Sequence, residues 1–287
     1  MLGFEVGNRI NEIKEVINSY KNTSTVLIHS DLYVSSKLLL ENKIYGRTEL
    51  LKQHFEIIEK IFPDFNVWMP AFNYDFFTTH IFDVERDKVQ LGPFPEYFRT
   101  NIAYWRTPIP ILSFCGTGIE PKVNLSDKVE LYDNHPAYHD ILKKNGIIFH
   151  YGTNFSATAF IHFIESYEGK PLYRYDKSFS GKVIDKDGNV SEHKIILHVR
   201  PYGKHLITYN LYEIQKELIK ENIMKSIKIN NGEFYVIPCR ELLEFFKMKI
   251  AKDPFYLLHK SSREWVEPKV EELGRRFHIG DFEKVVE

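Results

Sequence analysis

The sequence predicts one mixed α/β domain whose first half alternates helices and strands and whose second half is antiparallel and rich in hairpins. In the first half, segments with apolar residues at helical spacing alternate with short apolar runs that are typical of buried strands. In the second half, the turn sequences at residues 185–189 and 230–232 separate runs that are typical of strands. Since no internal repeat or low-complexity linker divides the chain, we expect one domain over residues 1–260 and a charged C-terminal tail over residues 261–287.

The elements of the first half follow in chain order. Residues 9–20 and 46–62 predict amphipathic helices, and residues 25–29 and 66–72 predict buried strands. The long aromatic loop at 73–95 has no clear periodicity, and loops of this length often carry function. Shorter elements complete the half: a helix at 95–100, a strand at 111–115, a helix at 136–144, a strand at 147–151 and a helix at 157–167.

The second half is predicted to contain hairpins separated by helices. Strands at 173–184 and 191–199 flank the first turn. The second hairpin has strands at 227–229 and 233–237 around Asn230-Asn231-Gly232, which is a strong tight-turn sequence. Helices are expected at 211–223 and 240–250.

The composition excludes several classes of function. Lys and Arg (38) nearly balance Asp and Glu (39), so the net charge of −1 gives no field that would collect nucleic acid or an anionic membrane. The two cysteines, Cys115 and Cys239, are too few for a disulfide framework or a cysteine-rich zinc site. The N-terminal residues lack the apolar core of a signal peptide, and no run of about 18 apolar residues occurs. We therefore expect a cytoplasmic protein without nucleic-acid or membrane partners.

Several common catalytic motifs are missing from the sequence. The chain contains no G-x-x-x-x-G-K-[ST] loop, no G-x-G-x-x-G, no G-x-S-x-G and no H-E-x-x-H. P-loop nucleotide hydrolysis, Rossmann cofactor use and serine esterase chemistry are therefore disfavoured.

One segment carries a pattern with chemical content, at residues 152–165. It predicts a strand end, a turn of small residues and a helix that presents His162 and Glu165 on one face, three positions apart. A carboxylate beside an imidazole can orient it and raise its basicity, which suits a general base. The plainer alternative is a half-buried histidine with a surface glutamate.

Four short segments, in a characteristic order, resemble a known family. They are H-S-D-L at 29–32, M-P-A-F at 69–72, E-Y-F-R at 96–99 and N-x-x-x-T-x-x-x-H-x-x-E at 154–165. Together, over residues 25–170, they resemble the aminoglycoside 3-N-acetyltransferase family, which has its own α/β fold, distinct from the commoner GNAT fold. The resemblance implies an acyl-CoA-dependent N-acyltransferase with acetyl-CoA or another short acyl-CoA as co-substrate and no metal.

The resemblance also implies roles for individual residues. His162 would be the catalytic base and Glu165 its support. The candidate CoA-binding residues are His29, Ser30, Asp31, Leu32, Arg106 and Thr158. The candidate substrate-binding residues are Asn73, Tyr74, Glu96, Arg99 and Asn154.

Departures from the family pattern bear on the acceptor. The family's R-S-x-H-P becomes Arg106-Thr107-Pro108-Ile109-Pro110, and its G-S-P becomes Asn134-His135-Pro136. The loop at 73–82 is aromatic, and the cationic Arg86, Lys88 and Arg99 lie near it in sequence, where they could meet a diphosphate. We expect an amino sugar carried on a nucleotide, for surface-polysaccharide assembly, as the acceptor; an aminoglycoside is the alternative.

The expected mechanism is direct attack of the amine on the thioester. An ammonium has no lone pair, so a base with a pKa near 7 must take the proton as attack occurs. The turn at 153–158 is expected to supply backbone N–H groups to the oxyanion. Neither cysteine lies in the matched motifs, which disfavours a covalent acyl-enzyme.

Two other classes of function compete with acyl transfer. A metal hydrolase could use His135 and His139, four positions apart, together with His150, His162 and Glu165. A sugar-binding module could use the plentiful Tyr (17) and Phe (22) side chains for stacking on sugar rings.

Overall fold

Two β-sheets frame the fold in the computed structural model, which describes residues 2–39, 46–123, 125–133, 135–201, 206–229 and 232–283. In chain order the described strands are β1 (Thr25–Ser30), β2 (Asn66–Pro70), β3 (Ile81–Asp83), β4 (Trp105–Arg106), β5 (Phe114–Gly116), β6 (Lys128–Glu130), β7 (Ile147–Tyr151), β8 (Tyr175–Ile184), β9 (Val190–Val199), β10 (Lys225–Ile229) and β11 (Gly232–Pro238). The larger sheet has the order β10-β11-β7-β1-β2-β5-β4, and the smaller one the order β3-β8-β9-β6. In the larger sheet β1 pairs in parallel with β2 and β7, and the remaining pairs are antiparallel.

The described helices are α1 (Leu2–Asn18), α2 (Leu32–Leu39), α3 (Arg47–Ile61), α4 (Phe76–Thr79), α5 (Pro93–Asn101), α6 (Pro136–Lys143), α7 (Phe160–Ser166), α8 (Leu211–Lys220), α9 (Cys239–Lys252) and α10 (Lys260–Leu273). Several of them cover the two faces of the larger sheet. Val26 and Ile28 of β1 pack with side chains of α1, α3 and α5, whereas Leu27 packs with those of α6, α7 and α9. A strand buried on both faces needs apolar residues throughout, which explains the apolar runs of β1 and β7.

The predicted fold class is confirmed. The first half alternates helices with strands, and both hairpins of the second half form, as the pairs β8–β9 and β10–β11. Asn230 and Asn231 lie outside the described residues, but the strands that flank them pair up to Ile229 and Gly232. None of the described helices has the length and apolar character needed to cross a membrane.

The charged segment after residue 260 contributes a helix to the fold. Val266 and Val270 lie one turn apart on α10 and are buried in a cluster that also contains Tyr173 and Ile207. Apolar residues at this spacing form a narrow stripe, which the surrounding charges obscure in the sequence. The domain boundary at residue 260 stays a prediction.

Candidate active site

A cavity of about 570 Å³ opens where the carboxyl end of β1 meets the turn that precedes α7. Polar and aromatic residues from distant segments line its wall; they include His29, Ser30, Tyr74, Thr158, His162, Arg200 and Tyr209. The two segments that the family resemblance emphasised, 29–32 and 154–165, therefore meet in three dimensions.

A glycine makes this meeting feasible. Gly152, at the end of β7, has φ +78°, and a Cβ atom there would lie 2.3 Å from the backbone oxygen of Asp31. The backbone N–H of Asp31 in turn donates to Tyr151 O at 2.9 Å. Only glycine tolerates both the left-handed conformation and the close approach, so it lets the start of α2 pack against the turn before α7.

His162 and Glu165 lie on the same face of α7, as their spacing predicted. The His162 side chain is 23% exposed and lines the cavity, whereas Glu165 behind it is 1% exposed. The distance from His162 Nδ1 to Glu165 Oε2 is 3.5 Å, which is too long for a strong hydrogen bond. The alternative of a surface glutamate is wrong, because Glu165 is buried.

Three side chains that the sequence analysis did not identify surround Glu165. Tyr173 and Tyr209 donate their hydroxyl hydrogens to Glu165 Oε1 at 2.5 and 2.6 Å. Arg174, which is 3% exposed, has its Nε 2.9 Å from Glu165 Oε2. Its Nη2 lies 3.0 Å from His162 Nδ1 and also donates to Tyr209 Oη. One sequence feature could have indicated these side chains, namely an arginine between two tyrosines at the start of a predicted strand.

The electrostatics of this cluster keep His162 neutral. Burial and the Arg174 guanidinium lower the pKa of His162 to about 4, although Glu165 acts in the opposite direction. Burial alone would raise the pKa of Glu165, but Arg174, His162 and Tyr173 together outweigh it and hold that pKa at about 2. Both groups therefore keep these charge states at neutral pH: an uncharged imidazole and a carboxylate. The expectation of a base with a pKa near 7 is thus corrected, because burial and Arg174 together outweigh the effect of Glu165.

Three of the residues predicted to bind CoA line the cavity. His29 is 6% exposed, and its Nε2 has no hydrogen-bond partner in the described part of the chain. Its ring stacks on that of His150, whose Nε2 lies 2.8 Å from Thr158 Oγ1. Ser30 lies beside them on the wall. Asp31 and Leu32 lie at the start of α2, where Asp31 Oδ1 accepts the N–H of Tyr33 at 2.9 Å.

Arg106 does not line the cavity. It is 7% exposed, and its guanidinium donates to the backbone oxygens of Ala71 and Val84 at 2.8 and 3.2 Å. Its Nε also donates to Ser113 Oγ at 3.1 Å. Since these partners occupy its donors, Arg106 supports the loop after β2 in this structure.

Among the predicted substrate-binding residues, only Tyr74 lines the cavity. Glu96 and Arg99 pair with each other at 2.9 Å, and Arg99 also donates to Glu85 O. Asn73 is buried, and its side chain donates to Lys88 O and accepts the N–H of Asp75, which holds the loop that presents Tyr74. The remaining residue, Asn154, caps the turn before α7 through its contact with the N–H of Ser156.

The turn at 153–158 uses most of its own backbone donors. The N–H of Phe155 donates to Gln215 Oε1, and that of Ser156 donates to Asn154 Oδ1. The N–H groups of Ala157 and Thr158 donate to carbonyl oxygens of the same turn. The expectation that these groups receive the oxyanion is therefore wrong for residues 155–158. The turn orders α7 instead.

The described residues do not form a metal centre. No three or more His, Cys, Asp or Glu side chains come together there at ligand distances. His135 is buried with its Nε2 2.9 Å from Leu112 O, and the His139 ring packs edge-on against Phe163. The spacing of these two histidines therefore reflects packing of α6. Asn134, beside them in the family motif, lies outside the described residues.

Buried imidazoles predict a loss of stability in acid. Burial lowers the pKa of His29, His54, His135 and His162 to about 4. The unfolded chain binds protons at these histidines below about pH 6.5, so the free energy of unfolding falls as the pH drops below this value, and the loss is complete below pH 4. Each histidine contributes up to about 1.4 kcal/mol per pH unit. Urea unfolding between pH 7.5 and 4.5 measures the slope; a flat profile would contradict the burial of these groups.

Comparisons with known proteins identify the family and the fold. The family model described as aminoglycoside 3-N-acetyltransferase matches residues 52–250. A comparison with curated protein sequences finds no significant match.

Solved structures with a similar fold include three at low sequence identity. The aminoglycoside acetyltransferase AAC(3)-Xa is 12% identical, with a TM-score of 0.62 over 88% of this chain and 97% of that chain. The YokD protein from Bacillus subtilis is 14% identical, with a TM-score of 0.59 over 85% and 93%. AAC-IIIb, solved as a binary complex with CoASH, is 12% identical, with a TM-score of 0.64 over 85% and 96%. At these identities the structures show a shared fold.

The family model is the stronger finding, since it covers more than half of the chain. The chain therefore belongs to the aminoglycoside 3-N-acetyltransferase family and is an N-acyltransferase with acetyl-CoA or another short acyl-CoA as co-substrate.

Proposed function

We propose that the protein transfers an acetyl or similar short acyl group from acyl-CoA to the amine of an amino sugar carried on a nucleotide, with His162 as general base. The observation that carries the proposal is His162 on the cavity wall with Glu165 buried behind it. His162 is uncharged at neutral pH and can accept the proton that the amine loses on attacking the thioester. Glu165 stabilises the resulting imidazolium. Since the reaction consumes acyl-CoA, we place it in the cytoplasm.

The co-substrate is proposed to lie against the β1 end of the cavity. His29, Ser30 and Thr158 line this side, and His29 Nε2 is a buried polar atom with no hydrogen-bond partner among the described residues. A ligand with polar groups, such as the pantetheine chain or the thioester carbonyl, would satisfy it. AAC-IIIb, which shares the fold, was solved with CoASH.

The charge of the cavity wall favours an acceptor that is not a polycation. None of the described residues that line it is Asp or Glu, and Glu165 behind it is paired with Arg174. Binding a polyamine drug tightly calls for opposing carboxylates. Related structures contain such drugs, sisomicin and apramycin among them, so an aminoglycoside acceptor is the competing candidate.

Arg200 offers an anchor for an anionic group of the acceptor. Its Nη1 donates to Ile207 O at 3.0 Å, and its guanidinium lies over the Tyr209 ring, 4.8 Å from the centroid. Its other N–H groups have no hydrogen-bond partner within the described residues, and the side chain faces the cavity. Tyr74, which also lines the cavity, stacks on Phe77 and presents an aromatic surface. A guanidinium with an aromatic wall suits a nucleoside diphosphate. Arg99, which the sequence analysis assigned to this role, is held by Glu96.

The acceptor assignment predicts a preference in kcat/KM. A dTDP- or UDP-linked amino sugar should be acetylated with higher kcat/KM than kanamycin. Arg200→Gln should raise KM for the nucleotide-linked sugar about 10- to 100-fold, because it removes a hydrogen bond between charged groups. Arg275→Gln, on the exposed surface beside Asp281, is the matched control.

Each of these kinetic measurements tests a separate assignment, of the acceptor or of Arg200. A higher kcat/KM for kanamycin would reject the nucleotide-linked acceptor and leave acyl transfer intact. An unchanged KM for the nucleotide-linked sugar in Arg200→Gln would remove Arg200 from the site. A change in KM for acetyl-CoA alone would assign Arg200 to a CoA phosphate.

A further inference from the structure

Arg174 contacts Nδ1 of His162, the same ring nitrogen that would donate a hydrogen bond to Glu165 in a His–Glu pair. Its Nη2 lies 3.0 Å from His162 Nδ1, closer than the carboxylate oxygen Glu165 Oε2 at 3.5 Å. The guanidinium is held firmly, since Nη1 donates to His198 O at 2.8 Å and Nε donates to Tyr209 Oη at 3.1 Å. Arg174 therefore contacts both the imidazole and its carboxylate.

This contact determines where the imidazole proton resides. A guanidinium can only donate hydrogen bonds and keeps its charge throughout the working range of an enzyme. His162 Nδ1 must then accept, and a neutral imidazole that accepts at Nδ1 carries its proton on Nε2. Nδ1 is turned toward Arg174, so Nε2 is the nitrogen left for a ligand in the cavity. A base must present a lone pair there, and in this arrangement Nε2 presents a hydrogen.

A second observation shows where Nδ1–H would go in the basic form. Glu165 Oε2 is a buried carboxylate oxygen that makes no well-oriented hydrogen bond within the described part of the chain, although Arg174 Nε lies 2.9 Å from it. Glu165 Oε1, by contrast, accepts from both Tyr173 and Tyr209. Oε2 can therefore still accept a hydrogen bond from the imidazole of His162, whose Nδ1 lies 3.5 Å away.

We propose that Arg174 is a positioning residue that sets the tautomer of His162: it holds Nδ1 as an acceptor, and the base forms when Nδ1 exchanges Arg174 for Glu165 Oε2. The inference rests on the proposed role of His162 as base. The exchange needs a small rotation of either side chain, because both partners already lie within 3.5 Å of Nδ1. It also changes the tautomer: the ring, which is 23% exposed, gives up the Nε2 proton to solvent and takes one from solvent at Nδ1, with no change in its net charge. The oxygen that receives Nδ1–H belongs to the carboxylate that then stabilises the imidazolium.

The groups that face the His162 ring come from several elements. Glu165 lies on the same helix, and Arg174 and Arg200 are the cations. The Tyr132 and Tyr209 rings lie 5.2 and 5.9 Å from it between centroids, and His198 faces it from β9. Without the Arg174 guanidinium, Glu165 would be the strongest charge near the ring. The pKa of His162 would then rise, as expected for an imidazole beside a carboxylate.

The proposal is tested first on the wild-type protein without substrate. Nitrogen-15 NMR of histidine-labelled protein at pH 7 distinguishes the two neutral tautomers. We expect the Nε2–H tautomer at His162, identified by loss of its signals in His162→Ala. A signal from the Nδ1–H tautomer would overturn the proposal without any variant at Arg174.

Two variants then separate charge from geometry. Arg174→Lys keeps the charge but replaces the planar guanidinium, whose separate nitrogens reach both His162 Nδ1 and Glu165. Without the contact at Nδ1, His162 should switch to the Nδ1–H tautomer. Arg174→Met removes the charge as well, and the acidic limb of kcat/KM should move to higher pH by about one unit or more. If Arg174→Met fails to fold, the wild-type and Arg174→Lys spectra still decide.

Tyr173→Phe is the matched control in the same buried cluster. It removes a donor from Glu165 Oε1 and leaves the contact of Arg174 with His162 in place. The Nε2–H tautomer should persist in this variant; a switch there would assign the effect to general loosening and overturn the proposal. The NMR measurement of the tautomer does not depend on catalysis. Full activity in His162→Ala would therefore reject the proposed base without contradicting the tautomer assignment.

Discussion

Replacing His162 with alanine is expected to lower kcat by roughly a hundredfold to ten-thousandfold, with KM for acetyl-CoA nearly unchanged. The side chain lies on the cavity wall and, among the described residues, provides the imidazole there that has a carboxylate behind it. Without it, the proton of the attacking amine must pass to water. The residual rate would come from binding both substrates in one cavity. Steady-state kinetics with acetyl-CoA and the preferred amine measures the effect.

His139→Ala is the matched control for this prediction. His139 lies on the neighbouring helix α6, is not among the described residues that line the cavity, and packs on Phe163. Its replacement should leave kcat within a few-fold of wild type. A wild-type rate in His162→Ala would reject the base assignment. An equal loss in His139→Ala would instead revive the metal-hydrolase alternative.

Replacing Glu165 with glutamine is expected to lower the free energy of unfolding by about 3–5 kcal/mol, because it leaves the Arg174 guanidinium buried without its counter-ion. The amide oxygen can still accept from one tyrosine, but the amide carries no charge to offset that of Arg174. We also expect kcat to fall, by less than in His162→Ala, because the imidazolium loses its stabilising charge. Urea unfolding and steady-state kinetics on the same preparations separate the two effects.

A double variant shows whether the loss comes from the unpaired charge. Adding Arg174→Met to Glu165→Gln removes both charges and should recover most of the stability, without recovering kcat. Glu213→Gln, whose carboxylate pairs with Lys216 on the exposed side of α8, should change the free energy of unfolding by less than about 0.5 kcal/mol. If Glu165→Gln unfolds like the wild type, the buried ion pair does not have the role assigned to it.

Helical spacing explains why one part of the site could be predicted from the sequence. His162 and Glu165 are three positions apart on one helix, so local geometry alone places both on the same face. The hairpins could be predicted for the same reason, since turn residues and alternating strands are local sequence patterns. The motif order at 29–32 and 154–165 also indicated the family, which the family model confirms.

Packing between distant segments explains what the sequence could not show. Arg174 approaches His162 only because α7 packs beside the start of β8, and Arg200 and Tyr209 reach the cavity from beyond β9. The same packing turns Arg106 and Arg99 toward internal partners, although their charge suggested ligand binding.

The sequence by itself determined the mixed α/β class, the family and the pairing of His162 with Glu165, because each depends on local periodicity or on motif order. The tertiary structure alone decided the charge state of the site. The pKa of an imidazole depends on every charge and on the solvent excluded around it, and at His162 burial, together with Arg174 twelve positions away, lowers it. The structure thereby replaces a predicted base with a pKa near 7 by a partly exposed imidazole that is neutral at pH 7.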